Sequence, residues 1–240
     1  MTIAAFFDVD GTLLKANIVH HYLYLAKQDR SLWQQGLTTA RLLSLVPFYL
    51  WLDRISRDAF NHVFYQNYDG LSVEQCFALG QRYFQQKLHS GLFPAALQQI
   101  AEHKSQGAKI VLVTGSVDCI IAPLAEFLGA SSLTTQLQVC NGYYTGNLQG
   151  EPVAEQEKAR LIRQFAASQG IDLQRSYAYG DSIADLPMLQ AIGHPVAVNP
   201  DVALSRIATQ AGWPIKQWKA DRHSTPSSPT VVSQPPEPCL

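Results

Sequence analysis

IAAFFDVDGT, residues 3–12, predicts a buried β-strand that ends at two carboxylates. Five consecutive apolar residues followed by acids and a glycine are typical of a strand that is covered on both faces of a parallel sheet. Open α/β sheets bind ligands outside the carboxyl ends of their strands. Asp8 and Asp10 are therefore candidates for chemistry, one as a nucleophile or metal ligand and the other as the group that handles protons.

An Asp-x-Asp pair also occurs in solvated turns and at the start of calcium-binding loops. An EF-hand loop needs glycine at its sixth position and glutamate at its twelfth, where this chain has Leu13 and Val19. The calcium interpretation fails. A solvated turn stays open until the other motifs of the chain are considered.

Composition excludes several classes of protein. The chain has 240 residues, 47% of them hydrophobic, which fits one large domain or a core with an inserted unit. Its formal net charge of -1 gives no indication of nucleic-acid binding. Its cysteines have neither CxxC spacing nor the density of a disulfide scaffold, which argues against zinc and favours a reducing compartment. They are Cys76, Cys119, Cys140 and Cys239.

Targeting patterns are also missing from the sequence. The start, Met1-Thr2-Ile3, does not have the form of a signal peptide, so we expect a cytoplasmic protein. The apolar run 42–52 is about half the length of a membrane-spanning helix, which excludes stable membrane insertion. We expect this run to be a buried helix kinked at Pro47; a surface that touches lipid is the alternative.

Strand and helix patterns alternate after residue 105, which predicts an α/β fold with a doubly wound parallel sheet. Strands are predicted at 109–113, 176–179 and 195–198, and helices at 120–128, 157–167 and 186–192. Asn141-Gly142, between two short strand patterns, is a strong hairpin signal.

Residues 15–104 instead place apolar residues such as Val19, Tyr22, Leu23 and Ala26 at helical spacing. The predicted domains are a core of residues 1–14 and 105–218, a helical cap of residues 15–104, and a disordered Pro- and Ser-rich tail of residues 219–240.

Further polar groups follow the later strands of the predicted sheet. Thr114 and Gly115 come directly after the strand at 109–113, and Lys158 lies near the start of the helix at 157–167. A hydroxyl beside backbone N–H groups at a glycine can bind phosphate oxygens, and an ammonium group neutralises their charge. Taken alone, Lys158 would be interpreted as a solvated helix residue.

Asp181 and Asp185 follow the strand at 176–179 and are four residues apart. If a helix begins near Ser182, both face one point, and with Asp8 they form an all-oxygen pocket of the kind that suits Mg²⁺. A helix cap at Asp181 and a solvated first-turn acid at Asp185 are the alternatives.

Together these motifs resemble the haloacid dehalogenase superfamily of phosphatases. Residues 8–12 resemble its first motif, Thr114 its second, Lys158 its third and GDSIADLP, residues 180–187, its fourth. The helical insertion between the first and second motifs resembles the cap of subclass IB, the branch that includes phosphoserine phosphatases. The resemblance covers about the first 215 residues, and four motifs in one order are far more specific than any single one.

The resemblance implies a Mg²⁺-dependent phosphatase that acts on a small phosphomonoester. Asp8 would attack phosphorus and form an aspartyl-phosphate, while Asp10 would protonate the departing alcohol and later deprotonate the hydrolytic water. Mg²⁺ would be held by the Asp8 side chain, the Asp10 main-chain carbonyl and Asp181, with Asp185 acting through water. Thr114, Gly115 and Lys158 would hold the phosphoryl group.

The identity of the substrate is left open by the sequence. In phosphoserine phosphatases an acidic residue shortly after the first motif receives the amino group of the substrate, and the matching position here is the uncharged Asn17. Arg54, Arg57 and Arg82 are candidates to bind a carboxylate, although solvated helix positions explain them more simply.

Other functional alternatives also stay open. His20 and His21 lie near the entrance of the predicted cap and are interpreted as structural or exposed. The apolar run at 42–51 suggests a lipid-derived ester as substrate. A phosphotransferase or mutase would share the aspartyl-phosphate, and a non-catalytic scaffold would recruit a partner through Pro235-Pro236.

Overall fold

The computed structural model describes residues 2–28, 40, 44, 45, 48 and 57–219, without the side chains of residues 57–59. The predicted kink at Pro47, most of the apolar run 42–52 and the tail beyond residue 219 lie outside the described residues. None of the helices in the described ranges is long and apolar enough to cross a membrane.

The strands in the described residues are β1 Ala4–Phe7, β2 Lys109–Val117, β3 Ser131–Thr135, β4 Leu137–Cys140, β5 Tyr143–Leu148, β6 Tyr177–Gly180, β7 His194–Val198 and β8 Ile215–Lys216. Six of these strands form one parallel sheet in the order β3-β2-β1-β6-β7-β8, and the antiparallel strands β4 and β5 form a separate hairpin. The predicted doubly wound α/β fold is confirmed.

The described helices flank this sheet or lie in the predicted insertion. They are α1 Ile18–Lys27, α2 Arg57–Tyr65, α3 Val73–Tyr83, α4 Pro94–Ser105, α5 Asp118–Phe127, α6 Glu155–Gln169, α7 Leu186–Gln190 and α8 Val202–Ala211. Helix α3 continues through a π-helical stretch, Phe84–Leu88, into a last turn at His89–Gly91. Every regular element in the described part of residues 15–104 is helical, as its spacing predicts.

Strand β1 lies at the centre of the sheet and divides the core into two layers. Ala5 and Phe7 pack with α4 and α5 on one face, whereas Ala4 and Phe6 pack with α6, α7 and α8 on the other. All four residues of β1 are fully buried, because successive side chains of a strand point to opposite faces and both faces are covered.

The order of the strands makes β1 the switch point of the sheet. From β1 the chain passes to β2 and β3 on one side, and then crosses to β6, β7 and β8 on the other. Ligands of open α/β sheets bind in the crevice at such a point. The residues directly after β1 are therefore at the position where a ligand site is expected.

Two helices in or bordering the predicted insertion contact the predicted core directly. Ala96 and Ile100 of α4 are buried in the same cluster as Ala5 and Phe7 of β1. Gly80 of α3 meets α5, where a Cβ at Gly80 would lie 1.9 Å from the carbonyl oxygen of Cys119. The division into core and cap stays a prediction.

Gly80→Ala is expected to destabilise the protein although alanine has the higher helix propensity. The added methyl group collides with the backbone of α5, so α3 and α5 must separate, and such overpacking costs about 1–3 kcal/mol, or about 2–12 °C in the thermal midpoint. Thermal unfolding followed by circular dichroism measures the change. Gly91→Ala is the control, since a Cβ there meets nothing within 4 Å; equal midpoints for the two variants would contradict close packing at Gly80.

Candidate active site

Strand register brings three separated stretches of the chain to Asp8. Phe7 pairs with Leu112 of β2 on one side and with Tyr179 of β6 on the other, and the Asp8 N–H donates to the Tyr179 carbonyl at 2.9 Å. The residues that follow β1 and β6 and those at the end of β2 consequently meet at one edge of the sheet.

A tight turn after β1 separates the two acids. The Gly11 N–H donates to the Leu14 carbonyl at 2.8 Å, and the Leu13 N–H donates to the Val9 carbonyl at 2.9 Å. Gly11 has a φ of +96°, a conformation that glycine adopts without steric cost. Asp8 thereby faces α6, whereas Asp10 faces α1.

Lys158, on α6, lies between two carboxylates. Its Nζ is 2.6 Å from Asp8 Oδ1 and 2.6 Å from Asp185 Oδ1, and all three residues are buried. Burial alone would lower the pKa of Lys158, but the charges of Asp185 and Asp8 raise it above its usual value. The ammonium group therefore stays protonated.

Asp185 is fully engaged by its neighbours. Its Oδ2 accepts from the backbone N–H groups of Asp181 at 3.1 Å and Ser182 at 3.2 Å, while its Oδ1 binds Lys158. Asp201 orders the same loop, because its carboxylate accepts from the Ile183 N–H at 2.9 Å and its own N–H donates to the Asp181 carbonyl at 2.8 Å.

Asp8, Asp181 and Asp185 form an acidic cluster in which one oxygen of each carboxylate lies within 4.8 Å of the others. Burial raises the pKa of Asp8 well above its usual range, against the ammonium of Lys158. Burial and the charge of Asp185 raise the pKa of Asp181 to about 7. Asp8 Oδ2 is buried and has no hydrogen-bond partner among the described residues.

The negative charge of this cluster and the oxygen of Asp8 that lacks a hydrogen-bond partner among the described residues fit a divalent cation. When all three carboxylates are ionised, they and the Lys158 ammonium leave two net negative charges in a mostly buried site, and a buried charge is costly unless it is paired. The donors are all oxygen, which is the ligand type that Mg²⁺ prefers.

Asp10 makes contacts of its own through both carboxylate oxygens. Oδ1 lies 2.7 Å from His21 Nε2, and Oδ2 accepts from Ser116 Oγ at 2.8 Å and from Thr114 Oγ1 at 3.4 Å. Burial alone would raise the pKa of Asp10, but the charge and hydrogen bond of His21, helped by Ser116, lower it. The two aspartates thus occupy different electrostatic environments.

The end of β2, from Thr114 to Val117, is held from both sides. Thr114 Oγ1 accepts from the Ser116 N–H at 3.0 Å, and the Gly115 carbonyl accepts from the Tyr65 hydroxyl. A Cβ at Gly115 would come within 3.4 Å of the Val153 carbonyl oxygen. The structure thus brings Asp8, Asp10, Thr114, Lys158, Asp181 and Asp185 to one edge of the sheet, with Gly115 beside Thr114.

Sequence reasoning missed Ser116, His21 and Tyr83. His21, interpreted from the sequence as structural or exposed, is buried, and its Nδ1 lies 3.2 Å from the Tyr83 hydroxyl. Ser116 carried a weak signal, since it follows Thr114-Gly115 at the end of a strand. His21 carried none, because its partner Asp10 lies in a different element.

The other residues considered for substrate binding are placed less centrally. The Asn17 side chain accepts from the His20 N–H at 3.1 Å and so caps α1. His20 and Arg82 are exposed. Arg54 and the side chain of Arg57 lie outside the described residues.

Comparison with known proteins gives matches over most of the chain. A family model described as haloacid dehalogenase-like hydrolase matches residues 5–190. A Mycobacterium tuberculosis protein named a probable phosphatase is 32% identical over 242 residues, covering 96% of this chain and 82% of the relative. A second protein of that organism, named phosphoserine phosphatase, is 31% identical, and the match covers 95% of this chain and 76% of the relative.

Solved structures also resemble this chain over most of its length. A Bordetella pertussis protein of unknown function matches with a TM-score of 0.80 and 26% identity, covering 90% of this chain and 99% of that one. A structure of a phospho-aspartyl intermediate analogue of phosphoserine phosphatase matches with a TM-score of 0.65, covering 92% of this chain and 95% of that one. At 20% identity the second match shows a shared fold.

Proposed function

This chain belongs to the haloacid dehalogenase-like hydrolase family and is a phosphatase of that family, and from this premise we propose that it hydrolyses a small phosphomonoester through an aspartyl-phosphate on Asp8, with Mg²⁺ as cofactor. The observation that carries the proposal is the meeting of Asp8, Lys158 and the acidic cluster at the carboxyl end of β1. Phosphate release from a chromogenic phosphomonoester tests it.

Asp8 is suited to attack phosphorus. Its Oδ1 is fixed by Lys158 at 2.6 Å, while its Oδ2 is buried without a hydrogen-bond partner among the described residues. A carboxylate held in this way loses little freedom when it reacts, and positioning of reactants is a large part of phosphoryl-transfer catalysis. In the second half of the reaction, water attacks the aspartyl-phosphate and frees Asp8.

Asp10 is suited to transfer protons in both halves of the reaction. It gives a proton to the alcohol oxygen as the phosphorus–oxygen bond breaks, and takes a proton from the attacking water in the second half. His21 and Ser116 hold its two oxygens. Asp8 and Asp10 therefore serve as nucleophile and as acid and base.

The phosphoryl oxygens would be held by Lys158, Thr114 and the backbone beside Gly115. Lys158 supplies a buried ammonium charge, and the Thr114 hydroxyl lies beside Asp10. Fixed cations and hydroxyl donors stabilise the charge that develops in the transition state.

Mg²⁺ would be held by Asp8, Asp181 and the main-chain carbonyl of Asp10. When bound, it supplies positive charge that offsets the negative charge of the phosphate, so that a carboxylate can approach. Both oxygens of Asp185 are engaged by Lys158 and backbone N–H groups, so Asp185 supports the cation indirectly.

Removal of divalent metal with EDTA is expected to stop phosphate release, and added Mg²⁺ to restore it. Because the cation binds the folded chain, Mg²⁺ at about 100 times its dissociation constant stabilises by about 2.7 kcal/mol and raises the thermal midpoint by about 5–10 °C. Asp181→Asn should lose most of that shift. Hydrolysis that continues at full rate in EDTA would contradict the proposed cofactor.

The proposed substrate class rests on the family and on Asn17, where the chain departs from the pattern of phosphoserine phosphatases. Relatives are named phosphoserine phosphatase and histidinol-phosphatase, but Asn17, at the position of the acid that receives an amino group, is uncharged and caps α1. We therefore propose a phosphomonoester other than phosphoserine. Initial rates on phosphoserine, histidinol phosphate, a sugar phosphate and a lysolipid phosphate test this, and a clear preference for phosphoserine would overturn it.

A further inference from the structure

His21 is a buried polar residue that the phosphatase mechanism does not by itself require. It lies on α1, the first helix after the turn that carries Asp10, and is 1% exposed. Its ring nitrogens contact Asp10 Oδ1 at 2.7 Å and the Tyr83 hydroxyl at 3.2 Å. Both ring nitrogens thus have polar partners, and the buried ring is satisfied.

The chemistry of these partners fixes the direction of the hydrogen bond between His21 and Asp10. An ionised carboxylate only accepts hydrogen bonds, so His21 Nε2 carries the hydrogen and donates to Asp10 Oδ1. The Tyr83 hydroxyl can donate to Nδ1 of a neutral ring or accept from Nδ1 of a charged one, so it holds the ring in either state and leaves Nε2 to donate to Asp10. The Tyr83 ring also packs edge-on against His21, with centroids 5.6 Å apart, which holds the imidazole plane.

The contacts of Asp10 distinguish its two oxygens. Oδ1 faces His21, whereas Oδ2 faces Ser116 and Thr114. The N–H of His21 can only donate, whereas the hydroxyl of Ser116, which donates to Oδ2 of the ionised carboxylate, can turn and accept. A proton on Asp10 is therefore favoured at Oδ2. Oδ2 is also the oxygen on the side of Thr114, where the phosphoryl group is proposed to bind.

We propose that His21, held by Tyr83, is a positioning residue that directs the acidic proton of Asp10 to Oδ2 and presents it to the leaving group. This role rests on the proposed function, in which Asp10 protonates the alcohol. In that step the bond from Asp8 to phosphorus forms and the bond from phosphorus to the alcohol breaks. The proton moves from Asp10 Oδ2 to the alcohol oxygen, and Asp10 becomes a carboxylate.

The leaving group of the substrate separates this role from a structural one. A nitrophenolate departs without a proton, whereas a phenolate or an alkoxide is a poor leaving group and needs the acid. The value of kcat/KM reports the steps up to departure of the alcohol and is independent of the later hydrolysis. The experiment therefore compares kcat/KM for p-nitrophenyl phosphate, phenyl phosphate and glycerol phosphate with Mg²⁺ present.

His21→Leu removes the donor and is expected to lower kcat/KM by about 10–100-fold for phenyl and glycerol phosphate, but by about threefold or less for p-nitrophenyl phosphate. His21→Gln places an amide N–H near the position of Nε2 and should restore most of the loss. Tyr83→Phe, which leaves His21 in place, should show the same pattern with a loss of about 2–5-fold. His20→Leu is the matched control, since His20 is exposed on the same helix.

The possible outcomes separate this inference from the proposed function. A loss that grows as the leaving group worsens, with rescue by glutamine, supports the role of His21. An equal loss on all three esters in His21→Leu, or no loss in a folded variant, overturns that role while the phosphatase reaction stands. If His21→Leu does not fold, the His21→Gln and Tyr83→Phe variants decide in the same way. A wild-type protein that hydrolyses none of the esters would overturn the proposed function and this inference with it.

Discussion

Replacing Asp8 by asparagine is expected to lower phosphate release from p-nitrophenyl phosphate by at least about 10⁴-fold, because the amide cannot form the aspartyl-phosphate. Asp8 is the carboxylate that Lys158 orients and whose second oxygen lacks a partner among the described residues. Asp10 lies two residues further on and is bound by His21 and Ser116, so it is not placed to replace Asp8 as nucleophile.

The Asp8→Asn variant is expected to stay folded. Asparagine has the same shape as aspartate, and its carbonyl oxygen still accepts from Lys158. The substitution also removes one negative charge from a cluster in which three carboxylates share one ammonium. Circular dichroism and thermal unfolding check the fold, and acid-quenched wild-type protein examined by mass spectrometry should carry a phosphate adduct on Asp8.

Asp69→Asn is the matched control for this substitution. Asp69 is exposed and lies outside the site, so the same chemical change there should leave phosphate release unchanged. If a folded Asp8→Asn variant kept activity within about tenfold of wild type, Asp8 would lose its place as nucleophile.

Strand β1 and its carboxylates could be predicted because their signal is local. A strand covered on both faces has an unbroken apolar run, and this run ends at Asp8. The site residues at the ends of the other strands could also be predicted, because parallel strands present their carboxyl ends at one edge of the sheet. Lys158, on a helix, could be included only in combination with the other motifs, because alone it would be interpreted as a solvated helix residue.

The outer strands could not be predicted in the same way. Strand β3, Ser131–Thr135, lies at one edge of the sheet and is made mostly of serine and threonine, and Ser131 and Ser132 are exposed. Strand β8 at the other edge has two residues. Edge strands are often short and polar, so the apolar run that reveals a central strand is missing.

The first helix shows that an apolar pattern does not reveal a buried polar contact. The spacing of Val19, Tyr22, Leu23 and Ala26 correctly predicts a helix, and all four pack against the core or are buried in it. The helix also buries His21, which has two polar partners in the interior. A buried polar group is tolerated when it is hydrogen-bonded, and a hydrophobicity pattern contains no information about such partners.

Gly11→Ala is expected to lower phosphate release by about 10²–10³-fold, since a displacement of about 1 Å among catalytic groups already costs about 10²-fold. A Cβ at Gly11 would lie 2.0 Å from Asp181 Oδ2 and 2.6 Å from its Cγ. Either Asp181 leaves the acidic cluster or the turn that joins Asp8 and Asp10 shifts. Both changes disturb the oxygens proposed to hold Mg²⁺, so the Mg²⁺ concentration for half-maximal activity should rise by about 10–100-fold.

Gly150→Ala separates this effect from backbone strain. Gly150 has a φ of +91°, close to the +96° of Gly11, but a Cβ there meets nothing within 4 Å. Alanine in the left-handed region costs about 1–2 kcal/mol at either position, so both variants should lose thermal stability. Only Gly11→Ala should also lose activity and Mg²⁺ affinity, because only there does the methyl group reach Asp181. Equal activities and equal Mg²⁺ requirements in the two variants would show that the contact between Gly11 and Asp181 is irrelevant to catalysis.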